Sequence, residues 1–369
     1  MNRPGSLQPG YDGLRVVVVG ATGNVGTSVV QACADSPAVA SVLGVARRVP
    51  RWTPAKTAWA AADIGPHGAD LAPLFAGADV VIHLAWMFQP THHPAQTWQT
   101  NVLGSLRVFE AVAAAGVPAL IHASSVGAYS PGPKETPGGK DRAMEKVRAV
   151  DGHRAVDEDR PVDESWPTHG WPQAAYTREK AYLERVLDAY EHAHPDVRVV
   201  RMRPAFLFKR TSASEQRRIF AGRLLPGRLV RPGLIPAVPD LPGLRFQALH
   251  TDDAASAYLA AATLSVRGPF NLAAEPPIDG EVLAGLLHAR RFSFPTAPVR
   301  TALAAAWRLH MVPASPDLFD AVLRLPLMDC TRARTELAWE PRHTAVAAVE
   351  EFLEGLREGA GLATAPLAA

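Results

Sequence analysis

The 369-residue sequence has few cysteines, little net charge and no long apolar run, and each shortage excludes a class of protein. Its two cysteines, Cys33 and Cys330, are too few for a disulfide framework, and neither has a second cysteine at the spacing of a metal-binding pair. His92 and His93 are adjacent but have no third ligand at a useful spacing. We therefore predict two buried thiols and no metal site.

The charge balance argues against a nucleic-acid partner, and the lack of a long apolar segment argues against a membrane partner. The formal net charge is +2, from 38 Lys plus Arg and 36 Asp plus Glu, and the two signs are interspersed. No basic stripe with interleaved aromatic residues is present, so a nucleic-acid partner is not expected. No stretch is long and apolar enough to cross a membrane, and the first residues show no basic-then-apolar signal pattern. These features predict a cytoplasmic protein.

What the sequence does contain is a run of four valines at 16–19 that leads into three regularly spaced glycines. The run has no alternation, as expected of a strand buried on both faces of a parallel sheet. Gly20, Gly23 and Gly26 follow, and the residues from Thr27 onward favour a helix. Backbone N–H groups and the helix dipole at such a turn suit a pyrophosphate. The turn predicts a dinucleotide site, with a glycine-rich turn that binds nothing as the alternative.

The second predicted strand, at 41–46, ends where a dinucleotide-binding fold reads the adenosine ribose. An acidic residue there would bind the free 2′-hydroxyl of NAD. This chain has Arg47 and Arg48 instead, and a guanidinium group matches a phosphate. We therefore predict NADP(H) as the favoured cofactor, with NAD(H) possible. Two solvated arginines at a strand end are the alternative.

Strand and helix patterns alternate over the first half of the chain, which predicts an α/β fold with a Rossmann-type, doubly wound parallel sheet. We assign residues 14–204 to this NAD(P)-binding domain. It contains a charge-rich insertion at 131–170, which is either a solvated excursion or a lid over the substrate.

The second half of the chain is less regular. We assign 205–359 mainly to a substrate-binding lobe with segments that return to the Rossmann core. One strand is predicted within it, at 269–273. The composition at 1–13 and 360–369 predicts a flexible tail at each end.

Three residues predict the chemistry. Tyr176 and Lys180 lie four residues apart at the start of a predicted helix and so share one face. A free phenol has a pKa of about 10, and an ammonium group within about 4–6 Å lowers it, which would make Tyr176 a usable acid/base. Ser125 ends the fifth predicted strand, where its hydroxyl can bind the substrate oxygen. The alternative is an ordinary surface pair on a helix.

Taken in this order, the motifs resemble those of the extended short-chain dehydrogenase/reductase superfamily, in its NAD(P)-dependent epimerase/dehydratase group. The resemblance covers nearly the whole chain. The matching segments are residues 20–26, 63, 83–85, 101–104, 124–129, 163–165, 176–180, 203–204, 250–254 and 329–341.

The resemblance implies hydride transfer between C4 of the nicotinamide and a substrate carbon. It gives Ser125 the role of catalytic serine, Tyr176 that of general acid/base, and Lys180 a second role as a ligand of the nicotinamide ribose. Asp63 and Ile64 would flank the adenine. Motifs and resemblance together predict a cofactor site made of Gly20, Thr22, Gly23, Asn24, Val25, Gly26, Arg47, Arg48, Asp63, Ile64, Leu84, Ala85, Asn101, Ser124, Tyr176, Lys180, Arg203 and Pro204.

Asn101 would in addition support the strand that carries the active site. The resemblance also implies a homodimer, formed through the helices at 96–115 and 176–192. A small-molecule substrate is then the expected partner.

Departures from the family pattern concern the substrate. Sugar-nucleotide dehydratases carry Thr-Asp-Glu where this chain has Ser124, Ser125 and Val126, so dehydration is disfavoured. Sugar-nucleotide epimerases have an asparagine and a Gly-Pro pair after the Arg-Pro pair, whereas the run at 205–208 here is apolar and suits a less charged substrate. Six arginines between 210 and 231 could still neutralise phosphates.

The sequence therefore predicts an NAD(P)-dependent oxidoreductase that interconverts an alcohol and a ketone on a small or medium metabolite. A sugar-nucleotide epimerase with tightly bound NAD(P) is the first alternative. A non-catalytic NAD(P)-sensing regulator on the same fold is the second, because a fold alone does not fix function. The intact set of Ser125, Tyr176 and Lys180 argues against the regulator.

Overall fold

The structure is a computed structural model that describes residues 13–65, 70–132, 160–222, 227 and 230–368. Its strands are β1 (Leu14–Val19), β2 (Val39–Ala46), β3 (Thr57–Ala61), β4 (Val80–His83), β5 (Ala119–Ala123), β6 (Arg198–Pro204), β7 (Phe206–Phe208), β8 (Ala237–Asp240), β9 (Phe246–His250), β10 (Gly268–Leu272), β11 (Ala274–Ile278) and β12 (Arg290–Ser293).

Twelve α-helices are found in the described ranges: α1 (Asn24–Asp35), α2 (Ala72–Phe75), α3 (Pro94–Trp98), α4 (Gly104–Ala114), α5 (Ala175–Ala193), α6 (Ala213–Gln216), α7 (Thr251–Thr263), α8 (Gly280–Leu287), α9 (Thr296–Arg308), α10 (Pro316–Val322), α11 (Thr331–Glu336) and α12 (Ala345–Glu358). π-Helical turns follow α3 and α6, at Gln99–Leu103 and Arg217–Ala221. None of the helices in this part of the chain has both the length and the apolar character of a membrane span.

Seven strands form one parallel sheet in the order β3-β2-β1-β4-β5-β6-β10. The order reverses between β1 and β4, which is the place where doubly wound sheets bind their ligands. Two smaller sheets, β11-β9-β7 and β12-β8, belong to the second half of the chain. The structure thus confirms the predicted Rossmann-type α/β fold.

The valines of β1 explain why this strand shows no alternation. Val16 and Val18 belong to the core under α1 and α7, whereas Val17 and Val19 belong to the core under α4 and α5. All four are at most 1% exposed. Apolar side chains are therefore required on both faces of the strand, as predicted for a central parallel strand. Both cysteines are free and buried.

The second half of the chain holds more strands than the single one predicted. The predicted strand at 269–273 corresponds to β10, which returns to the edge of the main sheet next to β6. The strands β7, β8, β9, β11 and β12 were not predicted. They are only three to five residues long, and β8 and β11 contain prolines, which weaken a strand pattern in the sequence.

Most of the charge-rich insertion at 131–170 lies outside the described residues, so the lid and the solvated excursion both stay hypotheses. Its described ends are anchored. Val162 forms a parallel bridge with Met328, and Glu164 accepts a hydrogen bond from the Asn271 amide at 2.8 Å. Of the predicted N-terminal tail, 1–13, only Gly13 is described.

The residues at 360–368 make packing contacts, whereas composition alone predicts a flexible tail at 360–369. Leu367 and Thr364 are buried, and the Thr364 hydroxyl donates to the Thr22 carbonyl at 2.9 Å. Arg218 donates to the carbonyls of Pro366 and Ala368, both at 2.7 Å. The segment packs because its carbonyls find a guanidinium partner that is distant in sequence.

Candidate active site

The glycine-rich turn between β1 and α1 needs glycine at two positions for steric reasons. Gly20 has φ +87°, and a Cβ there would collide with the backbone of Ala85. A Cβ on Gly26 would collide with the carbonyl of Gly20, so α1 can pack against the strand only without a side chain at this position. The turn therefore has the tight backbone and close helix packing that a dinucleotide site requires.

The first turn of α1 is open to an anion. Its N-cap residue is Gly23, which has no side chain to cap the helix, and no acidic residue lies in the first turn. The positive end of the helix dipole therefore has no carboxylate within its own first turn. These features fit the pyrophosphate of a dinucleotide.

A cleft of about 810 Å³ runs along the carboxyl ends of the strands and joins most of the predicted site. Arg47, Arg48 and Asp63 line it beside β2 and β3, and Tyr176 lines it near β5. The other predicted residues on its wall are Gly20, Thr22, Gly23, Asn24, Val25, Gly26, Ile64, Leu84, Ala85, Ser124, Ser125, Lys180 and Pro204. The fold thus brings together the turn, the two arginines and the three candidate catalytic residues.

The Tyr176 hydroxyl donates a hydrogen bond of 2.8 Å to Oγ of Ser125. Tyr176 lies in the first turn of α5, and Ser125 directly precedes a short 3₁₀ helix at Val126–Ala128. The amide of Gly127 donates to Oγ of Ser125 at 3.0 Å, which fixes the serine side chain. Two hydroxyl groups therefore converge on one point of the cleft, where they can bind one substrate oxygen.

Lys180 is buried behind this pair. Its Nζ donates to the Ala123 carbonyl at 2.6 Å and lies 3.5 Å from the centre of the Trp86 ring. Burial lowers the pKa of Lys180 to about 7. Burial also raises the pKa of Tyr176 to about 12, and the hydrogen bond to Ser125 offsets this only in part. The expected lowering of the tyrosine pKa by the ammonium is therefore not seen, since desolvation dominates.

Asn101 lies behind the wall of the cleft. It is fully buried in the π-helical turn that separates α3 from α4. Its side chain bonds to the amide and carbonyl of Met87, at 2.7 and 2.8 Å, and donates to the Glu179 carboxylate at 2.7 Å. Asn101 thus holds the loop after β4 in place, and the structure does not bring it to the predicted cofactor contact.

Arg203 is likewise turned away from the cleft. Its guanidinium binds both carboxylate oxygens of Glu184, at 2.9 and 3.0 Å, and donates to the Tyr129 hydroxyl at 2.9 Å. Glu184 also accepts from Oγ of Ser124 at 2.6 Å. Burial opposes the charge of Glu184, but Arg203 and Ser124 outweigh it and lower its pKa to about 2. Arg203 therefore supports Ser124 through a buried ion pair.

Sequence reasoning missed the two buried carboxylates of α5, Glu179 and Glu184. Both are 1% exposed. A signal was present, because β6 begins at Arg198 and then carries arginines at the alternate positions 201 and 203 among apolar residues. Buried arginines require acidic partners, and α5 supplies one of them on the face that packs on the sheet.

Sequence reasoning also missed a set of aromatic residues around Tyr176. Phe88 stacks on the Tyr176 ring at 5.0 Å with an interplanar angle of 15°, and Trp86 meets it edge-on at 5.7 Å. Phe220 in turn packs edge-on against Phe88 at 5.7 Å. Trp86 and Phe88 lie in the loop after β4, which was the available signal, but Phe220 comes from a distant segment.

A model described as the NAD dependent epimerase/dehydratase family matches residues 16–273. The chain belongs to this family. The match confirms the resemblance drawn from the motifs, and it includes the glycine-rich turn, Ser125, Tyr176 and Lys180. No curated protein matches the chain.

Solved structures share the fold over almost the entire length. MoeE5 in complex with UDP-glucuronic acid and NAD is 18% identical, with a TM-score of 0.64, and the match covers 94% of this chain and 99% of that one. UDP-glucose 4-epimerase from Thermotoga maritima with UDP-glucose is 17% identical, with a TM-score of 0.63 and the same coverage. UDP-N-acetylglucosamine 4-epimerase from Bacillus cereus is 14% identical, with a TM-score of 0.58, and the match covers 92% and 96%. At these identities the likeness concerns the fold.

Proposed function

We propose that this protein uses a nicotinamide dinucleotide to move hydride to or from the hydroxyl-bearing carbon of a small or medium metabolite. The observation that carries the proposal is the 2.8 Å hydrogen bond between Tyr176 and Ser125, in a cleft that continues to the glycine-rich turn. One end of the cleft suits a pyrophosphate and the other suits proton transfer. The family match supports a nicotinamide-dependent enzyme.

When bound, the nicotinamide would donate or accept the hydride at C4. The hydroxyls of Ser125 and Tyr176 hold the substrate oxygen, on which charge changes during the reaction. Tyr176 gives its proton to that oxygen when a ketone is reduced, and its ionised form takes a proton from that oxygen when an alcohol is oxidised. Lys180 is buried one helical turn from Tyr176, where it would hold the nicotinamide ribose.

We further propose NADP(H) as the favoured form of the cofactor. Arg47 and Arg48 are exposed at the end of β2 and line the cleft near Asp63. Their guanidinium groups suit a ribose phosphate. NAD(H) stays possible, because the complexes of MoeE5 are named with NAD.

A sugar-nucleotide epimerase is the second candidate, and the comparisons favour it over a simple reductase. Several solved proteins of this fold are named as 4-epimerases or as complexes with UDP-sugars. Epimerisation at a carbinol begins with the same oxidation, so Ser125 and Tyr176 fit both reactions. The two differ in the fate of the hydride, which an epimerase returns to the same substrate.

Isotope transfer tests the proposal. The enzyme is given dinucleotide deuterated at C4 together with a panel of ketones, and the alcohols are analysed by mass spectrometry. Deuterium in an alcohol product shows hydride transfer, and Tyr176→Phe should abolish it. In a parallel reaction the enzyme is incubated with UDP-sugars, and NMR shows whether an epimer forms without net oxidation or reduction of the cofactor. If the dinucleotide binds but neither reaction occurs, the hypothesis of a non-catalytic regulator replaces that of an enzyme.

A further inference from the structure

The part of the cleft beyond Tyr176 has an apolar wall. Phe88 covers the tyrosine ring, Phe220 leans on Phe88, and Leu318 of α10 lines the same cleft. Ile219 and Val322 extend this wall. The side chains come from the loop after β4, the π-helical turn at Arg217–Ala221 and α10. Phe220 is 38% exposed, so its ring presents apolar surface to whatever enters.

The wall is held in place by hydrogen bonds between its elements. The Gln89 side chain donates to the Ile219 carbonyl at 2.6 Å, and the Thr91 hydroxyl donates to the Pro313 carbonyl at 2.5 Å. Nε1 of Trp307 donates to the Thr91 hydroxyl at 2.9 Å. These bonds tie the loop after β4 to both segments that face it. The apolar surface is therefore formed before the substrate binds, which lowers the entropic cost of binding.

Among the residues that the structure describes, charges that could bind a diphosphate are scarce on this side. Among the described lining residues after position 204, Arg217 is the sole cation, and Glu215 lies on the same wall. Arg210 is instead paired with Glu358. Arg218 donates to backbone carbonyls near the C-terminus. Arg210 and Arg218, two of the arginines that sequence reasoning offered to phosphates, are therefore engaged elsewhere.

We propose that the substrate is an uncharged secondary alcohol, or its ketone, whose apolar body of one or two rings packs against Phe88, Phe220 and Leu318. This inference rests on the proposed hydride transfer, with Ser125 and Tyr176 holding the single polar group. Apolar contacts then set the substrate specificity, because each substrate ring that is buried removes apolar surface of the ring and of the wall from water. A nucleoside diphosphate would place two negative charges against this wall.

The test uses the full chain loaded with dinucleotide. Binding of acetophenone and 2-acetylnaphthalene is measured by isothermal titration calorimetry, and turnover of the ketones and their alcohols by nicotinamide absorbance, with UDP-glucose in parallel. We expect both ketones to bind and UDP-glucose not to bind. Phe220→Ser should reduce kcat/KM for the aryl substrates about tenfold or more, and most for the naphthyl pair.

Phe292→Ser is the matched control, because Phe292 is 42% exposed on β12 and does not line the cleft. It should leave kcat/KM unchanged. The inference is overturned if neither ketone binds, or if Phe220→Ser behaves like the control. Epimerisation or oxidation of UDP-glucose without aryl turnover would overturn the substrate class and leave the proposed hydride transfer standing. Loss of hydride transfer from every substrate would instead refute the proposed function.

Discussion

Replacing Glu184 by glutamine should destabilise the fold by removing the buried partner of Arg203. Glu184 is 1% exposed and binds the Arg203 guanidinium with both oxygens. Its pKa falls from 4.5 to about 2 on folding, which corresponds to about 3 kcal/mol of stability at neutral pH. Glutamine keeps the shape and an oxygen for Ser124, but leaves the arginine charge buried and unpaired, at a similar cost of about 3–5 kcal/mol.

The pH dependence of this effect has a definite sign. Because the folded-state pKa is the lower one, the contribution of Glu184 is complete above about pH 4.5 and is lost as the pH falls toward 2. Urea denaturation at pH 7 and pH 3, followed by circular dichroism, measures the difference between wild type and Glu184→Gln. This difference in stability should be smaller at pH 3 than at pH 7.

Glu354→Gln is the control, since this carboxylate on α12 is 54% exposed and lies 3.9 Å from Arg357. Its effect should stay below about 0.5 kcal/mol. Equal stabilities of Glu184→Gln and Glu354→Gln at pH 7 would refute the argument. So would a loss of stability in Glu184→Gln that is the same at both pH values.

Three further predictions concern cofactor and assembly. Arg47→Ala should weaken NADPH binding about tenfold and leave NADH binding unchanged in fluorescence titrations; equal affinities of the parent protein for both would contradict an NADP preference. Residues 361–369 include Thr364, whose hydroxyl bonds to Thr22 in the glycine-rich turn. Removing them should speed dinucleotide release in stopped-flow displacement. An unchanged release rate would show that this segment does not retain the dinucleotide. We also propose a homodimer formed through α4 and α5, so Tyr182→Asp, at an exposed aromatic residue of α5, should give a monomer by light scattering. A monomeric parent protein would rule that interface out.

The nucleotide-binding half of the fold could be predicted because its signals are local. The valines at 16–19 and Gly20, Gly23 and Gly26 are consecutive in sequence, and each has one steric or packing reason to be there. Tyr176 and Lys180 share a helix face for the same local reason. The family match confirms the resemblance that these motifs suggested.

The remaining features depend on contacts between distant segments. Phe220 and Phe88 are far apart in sequence and come into contact only in the folded chain, and neither local sequence predicts this contact. Asn101 and Arg203 match family motifs, yet their buried partners turn them away from the cleft. The pKa of Tyr176 could not be predicted from its spacing to Lys180, because apolar neighbours set its desolvation.

The central claim is that Tyr176 exchanges the proton while the dinucleotide exchanges the hydride. The most direct test is the turnover of Tyr176→Phe, with the dinucleotide dissociation constant measured on the same preparation. We predict that kcat falls by at least about 100-fold and that dinucleotide affinity stays nearly unchanged, since the phenol hydroxyl acts on the substrate oxygen. Turnover close to that of the wild type would contradict the account.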